Sequence, residues 1–389
     1  MLNVLYLTNN AGRASTTVAT RGWLEHLMPR GLHPVVVSPI RGEFQEWVES
    51  EGGAFYKSDL PFPDRRRPLH FAESLAYLLW VVRRHRIDLV HCNEQEIYPI
   101  GQYIARALRV PVVVTVHFNI LEGFSRWAFR GARCPDRIFF VSASSKEACR
   151  TSLSAVIPED RWSVLYNGLN LEHFRPDPRV RAAFRVRHQL DGSFLLASAC
   201  ALRPRKQLEH LFQVVSRIPD RSVRLVLAGA AVPGDEEYAA HLLASGRELL
   251  GERLLYLGHQ DDLRPLYNAA DLFVNTSREE SFGLAALESM ACGCPVVGYP
   301  SVSVSEVVLP SGGEIVAQDD IEELTGAIVR RLSERDQIQT TRSAARHRAE
   351  FFDIRRLSEQ LWQEYRSLLG GRTQLSPGTV AGEDLTSLF

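Results

Sequence analysis

Glu280 and Glu288 stand eight positions apart, where an apolar run gives way to a helical pattern. Between them, Phe282-Gly283 predicts a tight turn at which the backbone can approach a ligand closely. The helix that begins there would present free N–H groups and the positive end of its dipole, which suit a pyrophosphate or a polar sugar. Carboxylates suit sugar and ribose hydroxyls, because their oxygens accept charge-assisted hydrogen bonds. By the residues alone, a solvated or capping role for both glutamates stays open.

A second charged set, Arg203-Pro204-Arg205-Lys206, follows the apolar run at residues 194–199. Arg203 and Lys206 are three positions apart across the predicted strand-to-helix turn, so both can face one diphosphate. Neutralising that leaving group is the main task in breaking a glycosyl–phosphate bond. Arginine gives bidentate contacts to oxygen atoms, and lysine acts as a compact charge. A basic turn is also typical of a solvated surface loop.

His117 directly follows the apolar run at residues 112–116. In open parallel sheets, ligands bind at the carboxyl ends of the strands. A histidine at that position can donate a hydrogen bond to a ligand hydroxyl or to the backbone. Both a binding role and a purely structural role are compatible with the sequence.

The elements that position these residues form two series of short apolar runs separated by amphipathic stretches, a pattern typical of parallel sheets covered on both faces by helices. Two consecutive βαβ series predict an α/β protein with two Rossmann-like parallel-sheet domains facing a central cleft. The first series comprises residues 4–8, 35–38, 89–91, 112–116 and 138–141, and the second comprises residues 194–197, 224–228, 254–257, 272–274 and 295–297.

The domain boundary is expected near residues 168–178, where Asn167-Gly168 precedes two prolines. We therefore predict an N-terminal Rossmann-like domain over residues 1–170 and a C-terminal Rossmann-like domain over residues 171–353, which the family resemblance described below implies to be the acceptor-binding and the nucleotide-sugar-binding domain, respectively. A last helical pattern ends at Gly370-Gly371, a good stop signal. It predicts a helix over 354–371 that crosses back to the N-terminal domain, followed by a loose polar tail over 372–389.

Composition narrows the function classes further. Lys plus Arg total 45 and Asp plus Glu total 46, so the formal net charge of −1 argues against a general nucleic-acid binder. The six cysteines lack the spacing of a zinc ribbon or a redox pair, and we expect them to be buried thiols in a reducing compartment. Residues 1–8 lack the basic region of a signal peptide, and no apolar stretch approaches the roughly 20 residues that cross a bilayer. These features predict a cytoplasmic protein.

Two basic clusters in the N-terminal half, Arg65-Arg66-Arg67 and Arg83-Arg84-His85-Arg86, are accompanied by tryptophans at positions 80 and 127. Such clusters suit anionic lipid, which predicts peripheral association with the inner face of a membrane. Ordinary solvated surfaces remain the alternative.

The order and spacing of these features resemble the family 4 retaining glycosyltransferases (glycosyl transferases group 1), which have the GT-B fold. The resemblance spans most of the chain and depends on the combination, because no single motif is decisive. It is carried by residues 87–91, Thr115-Val116-His117, Val141-Ser142, Asn167-Gly168, Arg203 to Lys206, residues 267–274, the Glu280-x7-Glu288 spacing, residues 287–293 and Pro295-Val296-Val297.

The resemblance implies a role for each matched residue. Glu288 would bind the ribose hydroxyls, Glu280 the hydroxyls of the transferred sugar, and Arg203 with Lys206 the diphosphate. His117 would contact the sugar from the opposing domain, so that the implied catalytic set is His117, Arg203, Lys206 and Glu280. Further donor contacts would come from the backbone of Gly12, Ser281, Phe282, Gly283 and Leu284.

The implied reaction is a metal-independent, front-face transfer in which the leaving diphosphate accepts the proton of the acceptor hydroxyl. A nucleotide sugar, UDP- or GDP-linked, is the co-substrate, and no Asp-x-Asp metal motif occurs. By analogy the hydroxyl acceptor (a glycan, a lipid-linked molecule or a small molecule) lies on the N-terminal domain. Its polar candidates there are Asn93, Glu94, Asn119 and Glu122.

The sequence also departs from the family pattern. The first loop has one glycine, Gly12, where a doublet is frequent, and Ser281 replaces a usual glycine. Val302-Ser303 replaces a Gly-Gly pair, although Glu306 is kept. These changes leave the donor sugar and the shape of the acceptor pocket open. A non-hydrolysing nucleotide-sugar epimerase and a non-catalytic nucleotide-sugar-binding subunit are the alternatives, while the lone Gly12 disfavours a dehydrogenase, which needs Gly-x-Gly-x-x-Gly.

Overall fold

The computed structural model describes residues 1–12, 15–63, 67–129 and 134–370. The predicted tail over 372–389 and two members of the first basic cluster, Arg65 and Arg66, lie outside the described residues.

The first half of the chain forms a seven-stranded sheet in the order β3-β2-β1-β4-β5-β6-β7, with every neighbouring pair parallel. The strands are β1 (Leu2–Leu7), β2 (Leu32–Ser38), β3 (Ala54–Lys57), β4 (Leu89–Cys92), β5 (Val112–Val116), β6 (Arg137–Phe140) and β7 (Trp162–Val164). The helices are α1 (Ser15–Leu27), α2 (Glu43–Ser50), α3 (Pro68–His85), α4 (Tyr98–Leu108), α5 (Glu122–Ala128), α6 (Ala143–Ala148) and α7 (Arg150–Leu153).

The second half forms a six-stranded parallel sheet in the order β10-β9-β8-β11-β12-β13. Its strands are β8 (Phe194–Ala199), β9 (Val223–Ala228), β10 (Leu254–Gly258), β11 (Leu272–Asn275), β12 (Val296–Gly298) and β13 (Gly313–Ile315). The helices of this half are α8 (Pro178–Arg187), α9 (Leu208–Arg217), α10 (Glu236–Leu250), α11 (Arg264–Ala269), α12 (Leu284–Ala291), α13 (Val304–Val308), α14 (Ile321–Ser333), α15 (Ile338–Glu350) and α16 (Ile354–Gly370).

The predicted fold class is confirmed, since each half is a parallel sheet with helices on both faces. The central strands β5 and β8 are buried along their whole length, because helices cover both faces, and this explains their continuous apolar runs. The sequence analysis missed three strands, β3, β7 and β13. They are only three or four residues long and mostly half-buried at or near the sheet edges, so they lack the apolar run that identified the others.

Helix α16 leaves the second half of the chain and packs on the first. Ile354, Leu361 and Tyr365 are buried in the core cluster that contains strand β1. The Tyr365 hydroxyl lies 2.5 Å from Nδ1 of His91 and 3.1 Å from the Tyr6 hydroxyl, so a polar network ties the helix to the centre of the first sheet.

The chain passes from the first half to the second near Leu169 and returns near Asp353, and these two segments lie side by side. The Leu169 N–H donates to the Phe352 carbonyl (2.9 Å) and the Ile354 N–H donates to the Leu169 carbonyl (3.0 Å). A β-carbon on Gly168 would lie 2.8 Å from the backbone Cα of Ile354, so only glycine permits this approach. The Asn-Gly pair that suggested a boundary is therefore the place where the return crossing contacts the outgoing one.

Candidate active site

The carboxyl ends of the two sheets face each other. Ser142, just after β6, has its hydroxyl 2.6 Å from that of Ser303, which follows β12. The Glu306 carboxylate on α13 accepts hydrogen bonds from the N–H groups of Ala143 (3.0 Å) and Ser144 (2.8 Å) at the start of α6. Because all strands in each sheet are parallel, the loops that follow them open onto this same cleft.

Lys206 and Glu280 meet on the C-terminal side of the cleft. The Lys206 ammonium lies 2.5 Å from a Glu280 carboxylate oxygen, and the Lys206 side chain is 8% exposed. The Thr276 hydroxyl donates to the Lys206 carbonyl (2.8 Å) and fixes the turn after β8 against the loop after β11. One pocket brings together residues from both loops, lined by Ser198, Ala199, Cys200, Lys206, Phe273, Asn275, Thr276, Ser277, Glu280, Gly283, Ala285 and Ala286.

Arg203 lies at the start of the same turn and pairs with a different carboxylate. Its Nε is 3.0 Å from an Asp235 carboxylate oxygen, and the arginine side chain is 37% exposed. A pair this open to water contributes little stability, on the order of 0–1 kcal/mol. The guanidinium can therefore exchange Asp235 for a more highly charged anion at small cost.

Glu288 lies on α12, where its carboxylate accepts a hydrogen bond from the Tyr267 hydroxyl (2.8 Å). Burial raises the pKa of Glu288 to about 7, and the hydrogen bond from Tyr267 opposes that rise. A ligand that donates further hydroxyl groups to this carboxylate would favour its ionised form.

The turn before α12 has the geometry that the sequence predicted. Gly283 has φ = 92°, in the left-handed region, and a β-carbon there would lie 2.8 Å from Cγ2 of Val304. The Phe282 ring is buried and packs edge-on against Phe352, with ring centroids 5.8 Å apart. The N-cap residue of α12 is Gly283, which has no side chain that could cap the helix. Gly283, Ala285 and Ala286 line the pocket, so the start of α12 lies beside it.

His117 lies on the opposite side of the cleft, just after β5. It is 3% exposed, and its Nε2 atom has no hydrogen-bond partner among the described residues. Burial lowers the pKa of His117 to about 4, and a hydrogen bond to the backbone of Asn93 opposes that shift. The imidazole is therefore neutral near pH 7 and retains one unused polar atom.

The loop after β1, which the structure describes as far as Gly12, is held from two directions. Glu94 accepts hydrogen bonds from the Thr8 hydroxyl (3.0 Å) and the Asn9 N–H (3.1 Å). From the other side, a β-carbon on Gly42 would lie 2.5 Å from the Ala11 carbonyl oxygen, so glycine is required for this packing. Burial raises the pKa of Glu94 to about 7, an effect that these hydrogen bonds oppose.

The four acceptor candidates divide into two kinds. Asn93 and Glu94 are buried, and their hydrogen bonds are internal: the Asn93 amide oxygen accepts from the Thr20 hydroxyl (2.8 Å). Asn119 and Glu122 are exposed at the cleft-side edge, where Glu122 forms an ion pair with Arg126. The second pair is thus better placed to meet an incoming molecule, and the first pair shapes the wall behind it.

Sequence reasoning missed several residues that the fold brings to the site. Asp235 was not considered, because nothing in its local sequence links it to Arg203. Tyr365 is distant in sequence from His91 and reaches it only through the return of α16. The role of Glu306 was suggested only as a retained family position, and its contacts with α6 require the two halves to be docked.

Within the described ranges, no group of three or more His, Cys, Asp or Glu side chains is arranged to hold a metal ion. All six cysteines are free thiols, four of them buried. None of the helices over the described residues is long and apolar enough to cross a membrane.

Two family models match consecutive parts of the chain: Glycosyltransferase Family 4 at residues 17–173 and Glycosyl transferases group 1 at residues 180–348. Among curated relatives, the chain is 29% identical to a D-inositol 3-phosphate glycosyltransferase of Saccharomonospora viridis, over 72% of this chain and 70% of the relative. It is 26% identical to the UDP-Gal:alpha-D-GlcNAc-diphosphoundecaprenol alpha-1,3-galactosyltransferase of Escherichia coli, over 66% of this chain and 70% of that enzyme.

Among solved structures, the fold is similar to Anabaena HepE in complex with UDP, with a TM-score of 0.84 at 21% identity over 94% of this chain and 100% of the other. HepE has also been solved with UDP-glucose. The two family models together with this architecture show that the chain belongs to the family 4 glycosyltransferases of the GT-B fold.

Proposed function

We propose that the protein transfers a sugar from a nucleotide diphosphate sugar to a hydroxyl acceptor, with retention of anomeric configuration and without a metal ion. The observation that carries this proposal is the Lys206–Glu280 pair of 2.5 Å inside a pocket beside the start of α12. A buried cation next to a partly exposed carboxylate suits a ligand with a diphosphate at one end and hydroxyls at the other.

Each donor-side residue then has a defined task. Arg203 and Lys206 exchange their carboxylate partners for the diphosphate and neutralise the charge that develops on it. Glu280, released from part of its contact with Lys206, accepts hydrogen bonds from the sugar hydroxyls. Glu288 binds the ribose hydroxyls, and the free N–H groups before α12 add fixed dipoles to the same site.

In the proposed step, the bond between the anomeric carbon and the diphosphate oxygen breaks as the acceptor oxygen bonds to the same face of that carbon. The acceptor proton passes to the departing diphosphate, so atoms and charges balance without a protein nucleophile. Glu280 is already engaged by Lys206, which favours a hydrogen-bonding role for it. His117, neutral and with Nε2 unused, donates or accepts a hydrogen bond at a sugar hydroxyl.

We favour UDP over GDP as the nucleotide. The E. coli relative is named for a UDP-Gal donor, and the HepE structures contain UDP and UDP-glucose. The acceptor is held by the N-terminal domain, opposite the donor, with Asn119 and Glu122 exposed beside it.

Ligand-induced thermal stabilisation tests the proposal, since a ligand that binds the folded state raises its stability by mass action. UDP-, GDP- and ADP-sugars are compared with and without EDTA on the wild type, Glu280→Ala and Glu279→Ala. Glu279 is exposed next to Glu280 and is the matched control. We expect a shift with UDP-sugars that EDTA does not change, that Glu279→Ala keeps and that Glu280→Ala reduces.

No shift with any nucleotide sugar would contradict a donor site. Conversion of the nucleotide sugar without any acceptor would instead indicate the epimerase, and binding without turnover over a broad acceptor panel would indicate a non-catalytic subunit. The anomeric configuration of the product, read by NMR coupling constants, decides whether transfer is retaining.

We also propose peripheral membrane contact through the basic end of α3. Arg83, Arg84 and Arg86 cluster there, and the Arg84 guanidinium lies 5.7 Å from the ring of half-exposed Trp80. Arginines beside an exposed indole suit an anionic lipid interface.

Flotation with anionic vesicles at low salt tests this contact. It should recover the wild type and the control Arg179→Glu/Arg187→Glu, which alters two exposed arginines of α8, but not Arg83→Glu/Arg84→Glu. Equal recovery of both variants would refute this contact.

A further inference from the structure

Of the large apolar side chains exposed on the N-terminal domain, four lie in segments that follow strands β3 and β5, and we call these the apolar rim: Phe62, Phe118, Leu121 and Trp127. Their exposed fractions are 48%, 49%, 78% and 38%, respectively. Single exposed apolar residues are ordinary, but a group of them on one edge of a domain marks a binding surface.

The rim lies on the cleft side of the first sheet. Phe118 is the residue after His117, and Leu121 immediately precedes α5, so both follow the carboxyl end of β5. Phe62 lies in the segment after β3, another strand of the same parallel sheet, and its ring contacts that of Trp127 with centroids 5.8 Å apart. The rim is therefore continuous in the chain with His117, which follows the same strand β5.

Helix α5, which carries Trp127 of the rim, is anchored in the core. The Ser125 hydroxyl is buried and donates to the Ser152 carbonyl (2.5 Å), while Ala128 is buried in the core. Phe124 is only partly buried and packs against Trp127, with centroids 5.8 Å apart. One face of α5 is thus fixed in the core. On the other face, contacts with the rings of Phe62 and Phe124 hold the exposed Trp127 in place.

The C-terminal side of the molecule has no comparable surface among the described residues. Its exposed large apolar side chains include one aromatic residue, Phe351. The guanidinium groups of Arg348 and Arg356 lie 5.3 Å and 4.6 Å from that ring and cover it. Among the described residues, the exposed aromatic rings without such cover therefore all lie on the N-terminal domain.

We propose that the apolar rim binds the hydrocarbon part of an amphipathic acceptor, a molecule with a polar hydroxyl-bearing head and an alkyl or prenyl chain. This inference rests on the proposed function, because the donor pocket on the C-terminal side leaves the N-terminal side for the acceptor. Asn119 and Glu122, exposed between rim residues, meet the polar head near His117. The chain then lies outward over Leu121, Trp127 and Phe62.

The test uses the full-length protein and a neutral apolar fluorophore, N-phenyl-1-naphthylamine, whose emission rises in apolar surroundings. Octyl and methyl glucosides, the former below its micelle-forming concentration, compete for the fluorophore. The variants are Phe62→Ser/Leu121→Ser and, as a matched control, Val186→Ser, which removes a side chain 65% exposed on the C-terminal domain. Circular dichroism melting confirms that each variant folds, as expected for exposed positions.

We expect saturable fluorophore binding that octyl glucoside displaces and methyl glucoside does not. Its affinity should fall at least about 10-fold, or about 1.4 kcal/mol, in the rim variant and stay unchanged in Val186→Ser. Absence of saturable binding, or equal binding in all three proteins, would overturn the proposal. So would a dimer in sedimentation that the rim substitutions dissociate, because a second copy would then cover the rim.

The UDP thermal shift of the wild type separates this inference from the proposed function. If UDP-sugars raise the melting temperature but the rim does not bind the fluorophore, only the proposal of an amphipathic acceptor is refuted. Rim binding without a shift from any nucleotide sugar removes the donor site, and with it the assignment of the rim ligand as an acceptor.

Discussion

The two sides of the cleft use opposite electrostatics. On the C-terminal side, cations are already paired with carboxylates: Lys206 with Glu280 at 2.5 Å and Arg203 with Asp235 at 3.0 Å. On the N-terminal side, the two buried histidines are uncharged near pH 7, because burial lowers the pKa values of His91 and His117 to about 3 and about 4. One side suits a ligand of high charge, and the other suits hydroxyl groups.

This division has a physical reason. A charged group buried without a partner costs several kcal/mol, so a buried cation such as Lys206 needs a carboxylate nearby. A hydroxyl-bearing acceptor needs only neutral donors and acceptors, and a histidinium at position 117 would add charge where none develops in the proposed reaction. We therefore expect substitutions that change a charge to affect turnover mainly when they lie on the C-terminal side of the cleft.

The largest effect is expected from the basic turn. Arg203→Ala and Lys206→Met should each lower turnover about 100-fold or more, because each removes one of the charges that stabilise the leaving diphosphate. Steady-state transfer or donor hydrolysis measures this, with Arg217→Ala, an exposed arginine at the end of α9, as the control. Near wild-type turnover in both variants would show that these two charges do not stabilise the leaving diphosphate.

Glu288→Gln should weaken nucleotide binding about 10- to 100-fold, since an amide offers the ribose one acceptor and no charge. It should also flatten the dependence of stability on pH. With a folded-state pKa of about 7, Glu288 stays protonated while the unfolded chain ionises from about pH 4.5, so the wild type loses stability as pH rises between these values.

Calorimetric binding and melting temperatures at pH 5 and pH 8 test both parts for Glu288→Gln. The variant should gain on the order of 1 kcal/mol relative to the wild type at pH 8, reduced from the full shift by solvent access at the cleft, and little at pH 5. A variant that keeps full affinity and follows the wild-type pH profile would show that this carboxylate has neither role.

A smaller effect is expected from His117→Ala, about 10-fold in kcat with nucleotide affinity unchanged, because a neutral hydrogen bond at the sugar is lost. Because the pKa of His117 is lowered to about 4, its protonation should not affect turnover above about pH 5. His347→Ala is the control, since that side chain is 84% exposed. Loss of nucleotide affinity in His117→Ala would place the residue in donor binding instead.

The smallest effect concerns stability alone. Tyr365→Phe should lower the free energy of unfolding by about 1–2 kcal/mol, since it leaves His91 Nδ1 and the Tyr6 hydroxyl in the core without their partner. Urea unfolding measures this against Tyr77→Phe, which alters a half-exposed tyrosine. Equal free energies of unfolding for Tyr365→Phe and the wild type would show that apolar packing alone holds α16. The hydrogen bonds of Tyr365 would then contribute nothing to the stability of the N-terminal side.

The local sequence determined the two parallel sheets, because their central strands are continuous apolar runs and their ligand loops follow strand ends. It also predicted the turn at Gly283 and the grouping of Lys206 with Glu280, although through a family resemblance as well as through residue types. The short strands β3, β7 and β13 were beyond it, since half-buried strands of three or four residues carry too little periodicity.

Other features depend on residues that meet only when the chain is folded. Asp235 pairs with Arg203 across 32 positions, Glu306 reaches α6 across about 160, and Tyr365 contacts His91 across 274. No local pattern specifies such partners, because the two residues of each pair lie on different strand ends or helices and only tertiary packing brings them within hydrogen-bond distance. The exposure of the apolar rim is likewise a tertiary property: Phe118 and Leu121 have the composition of core residues, and only the placement of α5 leaves them at the cleft edge.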